Sequence, residues 1–304
     1  MMAAAVPPAV AVEGALGRTL PGVWIQPQGA AIPPGPGFSF GVLPIGYMGR
    51  IGGSRLVPVA GSIYTNVEVD VSSNYLVPEY VYQTGSSKVS LASSMLAPVN
   101  WVSATGSLQT DNLSLSRSAT NSGFGDLVFV PLTASIHFSE NSNLAVSTMI
   151  FAPTAPFRPA YLANLGMGEI TVMPNFAYTY MWKKRGIEFD SFVGFDIYGE
   201  NRTTHYTSGT MFHADVMAIQ YFTPRFGAGA IFSNLTQITK DTGPVADLLD
   251  GFEGRGWGVG PEVLYVAKAS NPGIALQLRW VNEFKVSRLL KGNVLVFGLS
   301  LTLK

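Results

Sequence analysis

Residues 171–182 read TVMPNFAYTYMW, and this stretch decides the fold. Successive side chains of a β-strand point to opposite faces, so residues two positions apart share a face. Phe176 and Tyr178 fall on one face of such a strand, whereas Asn175 and Thr179 fall on the other. The stretch therefore predicts a β-strand with one apolar face and one polar face.

The stretch that follows, residues 187–198, carries charge on its polar face. Phe189 and Phe195 share the apolar face, whereas Glu188 and Asp190 share the opposite face. In an outer-membrane barrel the apolar face meets lipid and the polar face lines the lumen. A soluble sheet rarely exposes so many apolar residues while it buries carboxylates, so a membrane barrel is favoured. A soluble β-sandwich with a ligand pocket remains the alternative.

The composition points to a membrane protein without membrane helices. Only 12% of the residues are charged, about half the usual share of a soluble protein, and the mean hydropathy is +0.25. No uninterrupted apolar stretch reaches the roughly 18 residues that a spanning helix needs. The closed barrel is the other structure that satisfies every backbone polar group in a bilayer.

Other classes are excluded by charge and residue type. The net charge is +0, so no basic surface for nucleic acid is expected. The chain has no cysteine, which excludes disulfides, thiol catalysis and cysteine metal sites. The three histidines do not occur at the spacing of a metal-ligand pair, and they are His137, His205 and His213. We therefore expect no metal and no cofactor.

The alternating stretches predict twelve strands, and the links between them alternate in length. Links after even-numbered strands are short, whereas most links after odd-numbered strands are long, as in 51–72, 104–122, 154–167 and 239–254. Short periplasmic turns and long external loops are typical of outer-membrane barrels, whereas a β-sandwich does not sort its loops this way. We expect one antiparallel barrel over residues 37–304. The predicted strands are 37–50, 73–84, 88–103, 123–138, 142–153, 168–183, 186–200, 210–223, 225–238, 255–268, 272–287 and 292–304.

Residues 1–36 form a separate segment that is rich in Pro, Gly and Ala. Proline at this density prevents a long helix or a central strand. Val23, Trp24 and Ile25 make the segment too apolar for an ordinary linker, so we expect extended chain that packs inside the barrel. A disordered tail is the alternative. Residues 1–14 lack the positively charged region of a secretory signal, but Ala9-Val10-Ala11 fits a leader cleavage pattern. Either a leader has been removed, or these residues are a small-residue tail with no targeting meaning.

Inward-facing charge is the main group of candidate functional residues. Cross-strand pairs are expected between Glu262 and Arg279 and between Asp196 and His213. Such a network either shapes the electric field of the lumen or only holds the wall together, and both interpretations stay open. The predicted network comprises Glu188, Asp190, Asp196, Glu200, His213, Asp215, Glu262, Arg279, Glu283 and Lys285.

The loop 154–167 offers an apolar surface with one charge, which suits a hydrophobic solute. Together with the N-terminal segment it would narrow a lumen that is already small in a twelve-strand barrel. A loop folded out over the rim is the alternative. The candidate constriction residues are Trp24, Phe157, Arg158, Tyr161 and Leu162.

A catalytic site is not expected, although one arrangement needs a test. His137 and Ser139 lie two apart on a predicted strand, with Asn141 nearby, and a barrel phospholipase of the outer membrane uses these three residue types. Asn141 falls in a predicted turn rather than on a neighbouring strand, so chance is the favoured explanation.

Several short strings occur in a fixed order along residues 13–287. They are Leu20-Pro21-Gly22, Gly123-Phe124-Gly125-Asp126-Leu127 with Pro131-Leu132, Ala152-Pro153-Thr154, Leu162-Ala163-Asn164-Leu165-Gly166, Gly194-Phe195-Asp196-Ile197 with Glu200-Asn201, Tyr206-Thr207-Ser208-Gly209, Phe212-His213-x-Asp215, Gln237-x-Thr239-x-Asp241-x-Gly243, Gly251-Phe252-x-Gly254-Arg255, Gly260-Pro261 and Leu278-Arg279-Trp280. This ordered set resembles the outer-membrane transporter family linked with the meta-pathway of phenol degradation.

The resemblance implies a monomeric barrel of the Gram-negative outer membrane, embedded in lipid, that takes up small hydrophobic or aromatic molecules. The family has no agreed catalytic residues, and its Gly-Tyr-Asp string is Gly194-Phe195-Asp196 here. The positions that match the family gain weight as wall or loop-anchor residues, and they are Asp196, Glu200, Asn201, His213, Asp215 and Arg255.

The expected function is therefore passive uptake of small apolar or aromatic compounds. Two other functions remain open. One is a general diffusion pore for hydrophilic solutes, and the other is a barrel phospholipase.

Overall fold

The structure is a computed structural model that describes residues 16–33, 35–52, 57–110, 113–248, 253–268 and 273–303. Nearly all regular structure in these ranges is β-strand, and none of the described helices is long and apolar enough to cross a bilayer. The elements are β1 (Gly37–Ile51), β2 (Val57–Val59), β3 (Ser62–Tyr64), β4 (Asn66–Tyr82), β5 (Val89–Thr110), β6 (Leu113–Phe124), β7 (Val128–Ser139), β8 (Ser142–Phe151), β9 (Thr171–Trp182), β10 (Ile187–Tyr198), β11 (Glu200–Asn201), β12 (Tyr206–Thr207), β13 (Met211–Tyr221), β14 (Phe226–Gln237), α1 (Pro244–Leu248), β15 (Arg255–Lys268), β16 (Gly273–Ser287) and β17 (Lys291–Leu303).

The large sheet closes on itself into an antiparallel barrel with twelve strand positions, which confirms the predicted fold. Its order is β4-β1-β17-β16-β15-β14-β13-β10-β9-β8-β7-β5, and the pairing of β5 with β4 closes the ring. β6 and β7 share one position because both pair with β5, β6 with its end at Val99–Thr110 and β7 with its start at Val89–Leu96. The wall is therefore interrupted at residues 125–127.

Two predicted loops are wrong in extent. Most of the predicted loop 104–122 is the hairpin of β5 and β6, and part of the predicted loop 51–72 is the first third of β4 and the small β2–β3 hairpin. The stretch 104–122 is rich in Ser and Thr on both faces, so no polar–apolar alternation identifies it as strand. The start of β4 does alternate, but with Val67 and Val69 buried and Glu68 and Asp70 exposed, which is the reverse of the faces on β9. The strands persist there because the backbone ladder continues with the neighbouring strand. Residues 152–170 and 238–248 lie outside the barrel strands, as expected.

The two faces of the wall are distributed as the alternation predicts. On β9, Phe176 and Trp182 are 48% and 42% exposed on the outer face, whereas Asn175 and Thr179 are 3% and 2% exposed on the inner face. Exposed large apolar side chains recur on strands around the barrel. Such a band is what a lipid-facing surface requires.

The two rims of the barrel differ in their connections. The end that carries residues 83–88, 140–141, 183–186 and 222–225 is called the short-turn rim. The opposite end, which carries residues 152–170, 199–210 and 238–248, is called the long-loop rim. β1 starts at the short-turn rim and β17 ends there, because Phe38 pairs with Leu303.

Residues 16–33 lie inside the barrel and are called the plug. The side chain of Arg18 contacts residues near the long-loop rim, and Gln28 contacts Glu188 near the short-turn rim, so the plug runs from one rim to the other. Val23, Trp24 and Ile25 are at most 5% exposed and pack in the core of the lumen. Residues 1–15 lie outside the described residues.

Candidate functional site

The plug is held at mid-barrel by Arg279 of β16. Its Nε donates to Glu262 Oε2 at 2.7 Å, and its Nη1 donates to the carbonyl oxygens of Gly22 and, at 2.9 Å, of Ile25. The Arg279 and Glu262 side chains are fully buried, and the two residues are directly opposite across β15 and β16, as the expected pair requires. One ion pair thus connects the barrel wall to two plug carbonyls.

Gly22 allows the plug to approach the wall at this point. Its φ is +73°, and a Cβ there would lie 2.9 Å from Ile231 Cδ1 and 3.1 Å from Val281 Cγ2. The Gly22 N–H donates to Asp215 Oδ1 at 3.1 Å. Any larger residue at position 22 would strain the backbone and would clash with the side chains of Ile231 and Val281.

A second set of contacts holds the plug near the short-turn rim. Glu188 accepts from the Gln28 N–H at 2.8 Å and from the Tyr221 hydroxyl at 2.7 Å. The Ala30 N–H donates to Thr179 Oγ1 at 3.2 Å, and that hydroxyl donates to Asp190 Oδ1 at 2.7 Å. Asp190 Oδ2 is buried and has no hydrogen-bond partner among the described residues.

Arg18 and Asp126 connect the plug, the wall and the long loop 152–170. Arg18 Nη1 donates to Asp126 Oδ2 at 2.7 Å, and both side chains are at least nine-tenths buried. The backbone N–H groups of Ala155 and Met167 also donate to this carboxylate, each at 3.0 Å. Asp126 lies in the wall interruption, so one carboxylate ties three elements together.

The sequence patterns do not predict this pair. Asp126 belongs to a family string, and Arg18 lies outside every predicted site. Arg18 is the one basic residue of residues 1–36. The sequence did contain a signal for this pair. It is a single basic residue in an apolar segment that was expected to enter a lumen rich in acidic residues.

Asp196, His213 and Asp215 lie together on the inner wall. His213 Nε2 is 3.5 Å from Asp196 Oδ1, and both side chains are fully buried. The His213 ring stacks on Phe192, with ring centroids 5.7 Å apart. Glu283 is buried nearer the long-loop rim, where it accepts from the Tyr47 hydroxyl at 3.0 Å and the Gly292 N–H at 2.6 Å.

Two predicted members of the network do not face the lumen. The Glu200 side chain is 52% exposed and lies 2.8 Å from His205 Nδ1, because β10 ends at Tyr198 and the alternation stops there. Lys285 is exposed because a β-bulge with a φ of +49° reverses the alternation at this point of β16. Both side chains were predicted to face the lumen because the two-residue alternation was extended past the end of β10 and past the bulge in β16.

Trp24 lines two cavities in the described part of the lumen, one on each side of its ring. The upper cavity, toward the long-loop rim, has a volume of about 220 Å³. Phe157, Tyr161 and Leu162 of the long loop line it, whereas Arg158 is exposed and does not. The lower cavity, toward the short-turn rim, has a volume of about 460 Å³. Trp24 packs edge-to-face on Tyr75 and Phe151, so it separates the two spaces as a fixed aromatic wall.

One buried carboxyl anchors the connection 238–254 at the long-loop rim. Asp241 Oδ1 accepts from the Gly209 N–H at 2.5 Å and from Gln237 Nε2 at 2.6 Å, and the Tyr206 hydroxyl donates to Oδ2. Burial outweighs these three hydrogen bonds and raises the pKa of Asp241 to about 6.

His137 does not contact the residues considered for catalysis. Its Nε2 lies 2.9 Å from Ser90 Oγ and its Nδ1 lies 2.6 Å from Asn143 Oδ1, whereas Ser139 is exposed. The order Ser–His–Asn is that of a catalytic triad. Ser90, however, is only 1% exposed and lines neither cavity, so the three residues form a closed hydrogen-bonded group in the wall.

No cluster of three or more His, Cys, Asp or Glu side chains in the described ranges is placed to hold a metal ion.

The closed barrel, its apolar outer face and its plugged lumen define an integral barrel of the outer membrane, of the channel type. The family model described as "Putative MetA-pathway of phenol degradation" matches residues 51–298. Because this match covers well over half of the chain, the protein belongs to that family. No curated protein sequence matches the chain.

Two solved structures share the fold at low sequence identity, and a third is similar at a lower TM-score. The COG4313 outer membrane channel from Pseudomonas putida F1 has a TM-score of 0.71 and 16% identity, covering 91% of this chain and 99% of that chain. A FadL homologue from Pseudomonas aeruginosa has a TM-score of 0.50 and 9% identity, covering 93% and 95%. The monoaromatic hydrocarbon channel CymD has a TM-score of 0.45 and 9% identity, covering 98% of each chain.

Proposed function

We propose that the protein is an outer-membrane channel that passively takes up small hydrophobic molecules, aromatic compounds among them. The observation that carries the proposal is the upper cavity. Its lining is mostly apolar, with Trp24 as its floor and Phe157, Tyr161 and Leu162 at its side. A cavity with apolar walls and few polar groups binds apolar solutes in preference to hydrated ones. The family description, phenol degradation, supports aromatic compounds as the solute class.

The plug argues against a general pore for hydrophilic solutes. It runs through the lumen from Arg18 to Gln28 and is tied to the wall at both ends and at mid-barrel. The Arg18–Asp126 pair, the Arg279–Glu262 pair and Glu188 therefore hold the segment before β1 in place and do not line an open aqueous path. Passage requires this segment or the loop above it to move.

Two transport assays separate the two channel functions. Cells that depend on the protein should grow faster on dilute aromatic substrates than cells without it, whereas proteoliposomes should swell slowly in sugars. Rapid swelling in sugars without any growth advantage would support the general pore instead. Deletion of residues 1–25 should raise single-channel conductance, and an unchanged conductance would exclude a blocking role for that segment. We also propose that one chain suffices, which a molecular mass measured in detergent would check.

We propose further that the protein is not a lipase. Ser90→Ala and Ser139→Ala should leave phospholipid hydrolysis in detergent at the background level of the unaltered protein. Covalent labelling of Ser90 by a fluorophosphonate would contradict this, because only an activated serine reacts with that reagent.

A further inference from the structure

We propose that the short-turn rim binds the headgroups of anionic phospholipids in the inner leaflet of the outer membrane. The contacting residues are Lys184, Arg185 and Arg225, which are called the basic rim site. The inference concerns the lipid around the barrel, so it does not depend on which solute passes through the lumen.

The exposed charge of the short-turn rim is mostly positive. Among the side chains that the structure describes at this rim, the exposed acid is Glu140, and the exposed bases are Lys88, Lys183, Lys184, Arg185 and Arg225. The long-loop rim differs, because exposed acids such as Glu68, Glu200 and Glu253 lie among its bases. The excess of positive charge is therefore a property of one end of the barrel.

The basic rim site has no acidic partner within the described part of the chain. Lys183 Nζ lies 3.1 Å from Glu140 Oε2, so the exposed acid of this rim is already paired with a base outside the site. Glu188, three residues after Arg185, is fully buried and holds the plug inside the barrel. No other described acid forms an ion pair with the site. Its positive charge is left for an external anion.

The two turns that carry the basic rim site lie side by side. The Tyr221 N–H, at the end of β13, donates to the Gly186 carbonyl oxygen at 2.7 Å. This hydrogen bond joins the turn 183–186 to the strand end that leads into the turn 222–225. The cations of both turns therefore face the same patch of the surrounding membrane.

Aromatic side chains place the basic rim site at the level of the lipid headgroups. Trp182 and Phe222, next to the two turns, are 42% and 65% exposed. Exposed aromatic residues at the ends of a barrel mark the interface between membrane and water. Arg185 Cζ lies 5.0 Å from the centroid of the Trp182 ring, in a cation–π contact. This contact holds the guanidinium beside the interface, where lipid phosphates lie.

The position of the site on the barrel favours a phospholipid over other anions. Short turns face the periplasm in outer-membrane barrels, and the leaflet on that side consists of phospholipids. Clustered Lys and Arg at a membrane surface attract anionic headgroups, and a guanidinium can donate two parallel hydrogen bonds to one phosphate. The site continues directly into the apolar outer face, so the acyl chains of the same lipid contact the wall. A soluble acidic protein lacks those chains.

The test is a competition between two lipids that differ in headgroup charge. The full chain in a neutral detergent is incubated with an equimolar mixture of dioleoyl phosphatidylglycerol and dioleoyl phosphatidylcholine, and native mass spectrometry measures the lipid adducts. We expect phosphatidylglycerol adducts to exceed phosphatidylcholine adducts at least tenfold. The triple variant Lys184→Gln/Arg185→Gln/Arg225→Gln should lower that ratio about tenfold.

The matched control removes the same charge from the opposite rim. It is the triple variant Arg50→Gln/Arg202→Gln/Lys291→Gln, whose three side chains are exposed near the long-loop rim, and it should leave the ratio unchanged. An unchanged ratio in the short-turn variant, or an equal loss in both variants, would overturn the proposal. If the short-turn variant fails the test of heat-modifiable gel migration, Arg185→Gln alone replaces it, with an expected loss of about threefold.

Two competitors test the other anions that could occupy the site. Millimolar inorganic phosphate and an equimolar polyglutamate peptide should both leave the phosphatidylglycerol adduct in place. Displacement by phosphate would identify a site for free anions, and displacement by the peptide would identify a surface for an acidic protein. Either displacement would overturn the assignment to phospholipid.

Discussion

Replacement of Arg279 by methionine should release the plug and raise the conductance of the barrel. The substitution removes the ion pair with Glu262 and both hydrogen bonds to plug carbonyls, while methionine keeps much of the apolar volume. Loss of one partner from a buried ion pair costs about 3–5 kcal/mol, because the other charge is left unpaired. Two of the lost interactions are the charged hydrogen bonds to the plug carbonyls. At about 1.5 kcal/mol each, they contribute about 3 kcal/mol to the stability of the docked plug. That corresponds to roughly a hundredfold rise in the population of unplugged barrel.

The assay is single-channel conductance in planar bilayers, with heat-modifiable gel migration as the test that the barrel has folded. The double variant Arg279→Met with Glu262→Met removes the unpaired acid, so it should fold as well as the unaltered chain and still conduct more. Lys285→Met is the matched control, since Lys285 lies on the same strand but is exposed. If folded Arg279→Met and the double variant both conduct like the unaltered protein, the central anchor does not hold the plug.

Three further predictions concern the contacts that position the plug and the loops. Gly22→Ala should destabilise the docked plug by about 1–3 kcal/mol and raise conductance, because it adds both backbone strain and crowding against the wall. Gly85→Ala is the control: it carries a similar backbone strain but has no neighbour within 4 Å, so conductance should stay unchanged. Asp126→Ala removes the acceptor of two loop N–H groups and of Arg18, so a protease should cut the loop 152–170 at least tenfold faster. Glu140→Ala is the control for that rate, because it breaks only the exposed ion pair with Lys183, worth under about 1 kcal/mol. The folded pKa of Asp241, about 6, lies above the ordinary value of 3.8, so its carboxyl contributes stability that is complete below about pH 4 and is lost as the pH rises through 6. Amide exchange of Gly209 should therefore be faster relative to its intrinsic rate at pH 7 than at pH 4.5, and an Asp241→Asn variant that keeps the same pH dependence would show that another group is responsible.

Much of the fold and part of the site could be predicted because strand periodicity is local. Alternation on β9, β10 and β13 predicted which side chains face outward, and it placed Glu188, Asp190, Asp196, His213 and Asp215 on the inner wall. Lys285 was misplaced because a bulge reverses the alternation, and nothing in the local sequence marks it.

The sequence by itself determined that this chain is a barrel with an apolar outer surface, since a period of two and a low charge content are properties of neighbouring residues. It also indicated an apolar segment before the first strand. Only the tertiary structure decided which wall groups meet that segment. Arg18 with Asp126, Arg279 with Gly22, and His137 with Ser90 are brought together from separate strands and loops. Their contacts depend on barrel closure, strand register and the path of the plug, which are set by long-range packing and not by any local pattern.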